Sequence, residues 1–210
     1  MNQNVTNPHH ITSLEALEER YGHPSGAAVA KEIDYISEHY GAMIKASPFC
    51  SVATVSDEGL DCSPRGDAPG FVEVADQKTL LLPDRRGNNR IDNLRNIIRD
   101  PRISLLFLIP GVGETLRVNG RAAISVDPAL LERFVVNGQQ PRSVIVVTVE
   151  RVYFQCSKAI VRSKLWDPAT QIPRSALPST GTMVEALSKG EIKGVEYDKL
   201  YPERIKQTLY

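Results

Sequence analysis

Five β-prone runs follow one another with little chain between them. They are CSVATV at 50–55, FVEVADQKTLLLP at 71–83, ISLLFLI at 103–109, LRVNGRAAISV at 116–126 and SVIVVTVERVYF at 143–154. The last is the longest β-branched stretch of the chain, and residues 60–65 add a further strand after the tight turn Asp57-Glu58-Gly59. Six or so strands with only short helical insertions predict an antiparallel, closed or split β-barrel with peripheral helices rather than an alternating parallel β/α array. The fold class expected is therefore mainly β, of α+β type.

The local signals refine this plan. Ala75-Asp76-Gln77-Lys78 reads as the turn that divides FVEVADQKTLLLP into two strands, and Asn119-Gly120 as a bulge or bend. Ile103 to Ile109 is nearly all apolar, which predicts a strand buried on both faces. In the first fifth, Thr12 and Glu15 form a capping-box pattern before LEALEERYG. Val29, Ile33, Ile36 and Tyr40 recur at helical spacing, so a second helix is expected from about Ala27 to Lys45, closed by Ser47-Pro48. Asp127-Pro128 supplies an N-cap and first-turn proline for another short helix. Beyond Trp166, DPATQIPRSALPSTG predicts an extended, irregular arm, followed by a last short helix over TMVEALSKG. One domain over 1–210 is expected: N-terminal helices at 1–47, the barrel at 48–166, and the Pro-rich arm with its helix at 167–210.

Composition removes several classes of function. Hydrophobic residues at 41% and charged residues at 24% give an ordinary globular balance, and Lys+Arg equals Asp+Glu at 25 each, so no overall basic field recruits nucleic acid. No apolar run is long enough to span a bilayer, and MNQNVTNPHH lacks a basic or apolar leader, so a cytoplasmic chain with no membrane or nucleic-acid partner is expected. Cys50, Cys62 and Cys156 are odd in number and widely spaced, against a disulfide framework or a zinc site. All four histidines, His9, His10, His23 and His39, precede residue 40. Serine and cysteine triads are thereby excluded from the barrel, no metal centre is expected, and any demanding chemistry falls to a bound cofactor.

One stretch is built for an anion. PDRRGNNRIDNL, residues 83–94, places three arginines and three asparagines where an apolar strand hands over to an amphipathic helix at 91–99, with Asn88 or Asn89 as its N-cap. Unpaired N–H groups at a helix start, beside arginines, make a phosphate site. GVGETL at 111–116 is not a nucleotide loop: the third glycine position falls on Leu116, and no helix follows.

The succession CSVATVSDEGLDCSPRGDAPGF, TLLLPDRRGNNRIDNLRNIIRDPRISLLFLIPG and ETLRVNGRAAIS resembles the pyridoxamine 5'-phosphate oxidase-like family of FMN-binding split barrels, in particular its bacterial branch, over roughly residues 45–166. The resemblance implies an FMN phosphate held by Ser63, Arg65, Gly66 and Asp67 from a strand and by Pro83, Asp84, Arg86, Asn88, Asn89 and Arg90 from the turn. It implies further that Thr115 faces the flavin ring, with Arg117 near enough to influence it, and that two chains form a homodimer with FMN at the interface. Asn89-Arg90 stands where the oxidase itself carries Arg-Lys, so Arg85 or Arg86 is expected to supply a phosphate contact. The oxidase's C-terminal Arg-x-His element is missing, which argues against pyridoxamine phosphate as substrate. In its place, Cys156, Lys158, Arg162 and Trp166 of FQCSKAIVRSKLW form a candidate site for a small anionic molecule, Lys158 and Arg162 sharing a helix face. The activity implied is that of an FMN-dependent oxidoreductase; the alternative is a flavin- or tetrapyrrole-binding module without turnover.

Overall fold

The structure, a computed structural model, describes residue 7 and residues 9–210, so most of MNQNVTNPHH lies outside the described residues. They divide into two compact units, one ending at Glu32 and one running from Ile33 to Tyr210. The first holds α1 (Leu14–Tyr21) and the four-residue α2 (Ala27–Ala30). The cap of α1 is Ser13 rather than Thr12: its hydroxyl accepts the Ala16 N–H at 3.2 Å, which leaves Glu15 in the first turn near the positive end of the helix.

The expected helix over 27–45 is broken. In the second unit, Ile33 pairs as an isolated bridge with Val152, its N–H donating to the Val152 carbonyl at 3.0 Å and its carbonyl accepting at 2.7 Å. The Ile36 N–H donates to the Gln77 carbonyl at 2.7 Å. Sheet-edge hydrogen bonds thus claim two of the four apolar residues whose spacing reads as helical, a tertiary override of local pattern. Helix resumes only at α3 (Glu38–Ala46), capped by Ser37 and closed at Ser47 as expected.

Seven strands follow: β1 (Phe49–Ser56), β2 (Gly59–Gly66), β3 (Glu73–Asp76), β4 (Thr79–Asp84), β5 (Arg102–Leu108), β6 (Thr115–Ser125) and β7 (Ser143–Gln155). They form one sheet in the order β2-β1-β5-β6-β7-β4-β3, every pairing antiparallel. This is the mainly β, split-barrel architecture that the strand runs imply. Helix α4 (Asp92–Arg99) links β4 to β5, α5 (Pro128–Glu132) lies between β6 and β7, and α6 (Lys158–Ser163) follows β7.

Alternation along the strands builds the core. Val52, Leu105, Phe107, Leu116, Val118, Ile145, Val147 and Val152 are almost wholly buried on one face. Each such side chain contributes roughly 1.5–3 kcal/mol when taken from water. Strand β4 is apolar on both faces: Leu80 and Leu82 enter the main core, whereas Leu81 packs with Phe134 and Val144 in a second cluster. Strand β5 is not buried on both faces, as its composition suggested, since Ser104, Leu106 and Leu108 stay half-exposed on the outer side. The bulge falls where Asn119-Gly120 places it, in the β6–β7 ladder.

The C-terminal region is more ordered than an extended arm. Two single 3-10 turns, Pro168–Thr170 and Arg174–Ala176, lead into α7 (Thr180–Leu187) and a 14-residue α8 (Gly194–Gln207) that the sequence reading did not foresee. Pro202 inside α8 is a helix-breaking signal that hides it. The two helices lock together where Asp198 accepts from Ser179 and from the Gly181 N–H, with Gly181 backed against Gly194.

At the bulge, a Cβ on Gly120 would overlap the Thr148 carbonyl oxygen and sit 3.3 Å from Val149 Cα. Gly120→Ala is therefore expected to cost about 1–3 kcal/mol through forced backbone shifts, read as a lower urea midpoint; an unchanged midpoint contradicts this packing.

Candidate functional site

A cleft of about 660 Å³ opens where the end of β2 meets the end of β4 and the start of α4. Ser63, Arg65, Gly66, Asp67, Pro83, Asp84, Arg86, Asn88, Asn89 and Arg90 all line it, so the structure brings together ten of the twelve residues proposed for a cofactor. The sequence reading did not select Asp61, Asn93, Arg142, Ser143 and Tyr210, which line it too. For Arg142 a signal existed, one residue before the long strand, where register places it beside Asp84; its N–H donates to the Asp84 carbonyl at 3.1 Å. For Tyr210 nothing local pointed to the cleft.

The wall is organised by charge pairs. Arg65 bridges from β2 to Asp84 on β4 at 3.3 Å, with both side chains mostly shielded. Burial pushes the Asp84 carboxyl above its ordinary value, and the Arg65 and Arg142 charges only partly offset it. Arg85 donates from Nε to Asp67 at 2.8 Å and from its guanidinium to the Phe134 carbonyl at 2.6 Å. Burial would raise the Asp67 carboxyl, but the Ala68 N–H, Arg85 and the Tyr210 hydroxyl together hold it below its ordinary value. Arg90 pairs with Asp92 at 2.9 Å on the exposed rim, and Ser63 donates to Asp61 at 2.9 Å.

The helix start differs from the expected cap. Neither Asn88 nor Asn89 caps α4; the N-cap position is Ile91, in the left-handed region at φ 46°, and no side chain bonds to the first turn. Asn89 is left-handed as well at φ 63°, its amide oxygen accepting from Arg142 at 2.8 Å, while Asn88 accepts the Arg90 N–H at 3.1 Å. A β-branched residue in that conformation is uncommon and is held here against its preference. The first N–H groups of α4 thus keep no intrahelical or side-chain acceptor. Behind them Asn93, 2% exposed, donates to Thr54 at 3.0 Å and leaves its amide oxygen without a partner. Five arginines and the uncapped start of α4 can bind and orient an anionic ligand. No His, Cys or Lys lines the cleft.

The other candidates lie elsewhere. Thr115 and Arg117 alternate with the buried Leu116 and Val118, so they sit on the outer face of the sheet, whereas Arg65 is paired in register with the buried Cys50 on the core side. Arg117 donates to the Tyr153 hydroxyl at 3.0 Å and lies over that ring. Cys156, Lys158, Arg162 and Trp166 are also outside the cleft. Lys158 and Arg162 do share the exposed α6, and Trp166 donates to the Val112 carbonyl at 2.7 Å instead of filling the core.

Tyr210 lies against the Arg85 guanidinium, 5.4 Å from ring centroid to Cζ, and donates to Asp67 at 3.0 Å. That hydrogen bond, and then the Asp67 charge, raise the phenol above its ordinary value, so the contact persists at neutral pH and is lost as pH rises through the raised value. In a titration followed at 295 nm against Tyr210→Phe, the Tyr210 component is expected above pH 10 and at lower pH in Asp67→Asn. An identical position in both would contradict the contact.

No curated protein matches this chain. Among solved structures, it is similar to Group A Streptococcus HupZ at 21% identity over 58% of this chain and 95% of that one, with a TM-score of 0.48. General Stress Protein 26 of Bacillus anthracis matches at 17% identity over 54% and 88%, TM-score 0.41. The FAD binding protein of Mycobacterium smegmatis matches at 13% over 58% and 95%, TM-score 0.40. The pyridoxamine 5'-phosphate oxidase family model matches residues 36–156, more than half of the chain and all seven strands. By that match the chain belongs to the pyridoxamine 5'-phosphate oxidase family.

Proposed function

We propose that the protein is an FMN-dependent oxidoreductase for a small anionic substrate, with the flavin phosphate held in the cleft between β2, β4 and α4. The observation that carries this reading is the uncapped start of α4 facing an arginine-lined cleft. A phosphate monoester carries about −1.5 to −2 charges at neutral pH and matches guanidinium and helix N–H donors together. Arg65 is already aimed by its shielded pairing with Asp84, so little ordering of it is needed to receive the phosphate. When bound, FMN would supply hydride or electron-pair acceptance and return. The chain's own residues bind the phosphate, orient the ligand and exclude water; the cleft itself offers no histidine or thiol for proton transfer.

We place the second half of the site on a second copy of the chain. Thr115 and Arg117 lie on the opposite sheet face from Arg65, so one chain cannot turn both sets toward one flavin. The half-exposed Leu106 and Leu108 beside them give that outer face an apolar surface suited to pairing. A two-fold pair would create two equivalent pockets. The anionic substrate is then assigned to Cys156, Lys158, Arg162 and Trp166, which follow β7 on the strand neighbouring Thr115 and Arg117. The lack of His, Cys and Lys in the cleft favours one further reading, a flavin- or tetrapyrrole-binding module without turnover. Bleaching of the bound flavin by a reductant, followed by repeated substrate-dependent reoxidation, separates the two.

Arg90→Ala combined with Asn89→Gly, glycine being chosen because position 89 is left-handed, is expected to abolish FMN retention while far-ultraviolet dichroism stays native. Wild-type flavin occupancy in that variant would sink the assignment. Light scattering of flavin-loaded protein is expected to give twice the 23.2 kDa chain mass; a monomer holding FMN stoichiometrically refutes the shared pocket.

A further inference from the structure

Helices α7 and α8 pack chiefly on each other and hardly on the barrel. Asp198 of α8 accepts from Ser179 and from the Gly181 N–H, and the Gly194 N–H donates to Glu185 at 3.0 Å, so the pair is a stiff hairpin with its own closing bonds. Among the described residues, the other hydrogen bonds of the two helices also stay between residues 179 and 208, and Tyr210 makes the bond that crosses to the barrel. Its phenol donates to Asp67 at 3.0 Å while its ring lies over the Arg85 guanidinium. With Leu209 it lines the main cleft, and with Lys206 it lines a further recess of about 420 Å³ against Arg86. Leu209 keeps 59% of its surface exposed, so apolar packing adds little to this contact. At the other end, Trp166 pins the chain to the Val112 carbonyl, and between that anchor and α7 lie two single 3-10 turns, Pro168–Thr170 and Arg174–Ala176.

We infer that α7, α8 and Tyr210 form a hinged lid on the cleft, with Tyr210 as its latch and the irregular segment 171–179 as its hinge. A stiff body joined to the barrel through an irregular segment and one side chain swings as a unit, because opening it exposes almost no apolar surface. The contacts that must break are ones water replaces readily, since a phenol, a carboxylate and a guanidinium all hydrate well. With the lid closed, the Tyr210 ring covers the Arg85–Asp67 pair of the cleft wall, so a ligand enters and leaves while the lid is open. The lid therefore sets the rate of exchange and not the identity of the ligand. It holds for whichever anion the cleft takes; that the ligand is FMN rests on the function proposed above.

The test is stopped-flow FMN binding to the full chain and to Tyr210→Phe, which keeps the ring and loses the bond to Asp67. Association and release are both expected to quicken by about fivefold or more, with Kd changed by less than about threefold, because opening precedes both. A change in only one of the two rates makes Tyr210 a ligand contact rather than a latch, and two unchanged rates leave it nothing to latch; either result overturns the lid. If FMN does not bind at all, the function reading fails on its own, and phenylglyoxal modification of flavin-free protein, resolved residue by residue in a mass spectrometer, decides the lid. Arg85 beneath the ring is then expected to react about fivefold faster in Tyr210→Phe, with the exposed Arg121 as the unchanged reference. Equal Arg85 rates in the two proteins overturn it.

Discussion

The ion pair between Arg65 and Asp84 holds together the two sides of the sheet that create the cleft. In strand order β2 is one edge and β4 lies next to the other, five positions along, so no backbone ladder joins them. What joins them at the cleft is a side-chain bridge at 3.3 Å, supported by Arg85 reaching from the end of β4 to Asp67 just after β2. Both bridges are largely shielded from water, so removing one partner would leave an uncompensated charge in the wall. Burial outweighs the attraction of Arg65 at Asp84, whose carboxyl is held above its ordinary value, so ionising it costs stability and that cost is relieved as pH falls through the raised value. The linkage sign is the opposite at Asp67, where hydrogen bonds win and stability is retained above the ordinary carboxylate range, then lost as pH falls through the depressed value.

Much of this arrangement was legible in the chain because its signals are local. The β-prone runs marked the strands, Asn119-Gly120 marked the bulge, and the arginines and asparagines of residues 83–94 marked the cleft. The failures were of another kind. Residues 31–37 have helical spacing, yet Ile33 and Ile36 give their backbones to sheet edges far along the chain, which no local window contains. The cap of α4 was misplaced because Asn88 and Asn89 spend their side chains on Arg90 and Arg142. Arg142 and Tyr210 reach the cleft only through tertiary folding.

The division of candidate residues between two sheet faces is the most consequential result for function. A polar set converges on the cleft, and a second set, around Thr115, Arg117 and Tyr153, occupies the outer face. On the reading proposed above, a single chain presents two half-sites, and cofactor binding and self-association become one problem, since the half-exposed apolar side chains that a partner would cover surround the residues that it would contribute.

The central claim is that the cleft recognises a phosphate and not merely an aromatic ring. Calorimetry comparing FMN with riboflavin, which lacks the phosphate, tests it most directly. The account predicts at least a hundredfold preference for FMN that shrinks as salt rises, as exposed arginine contacts require. Equal affinity for the two ligands at every salt concentration would contradict it.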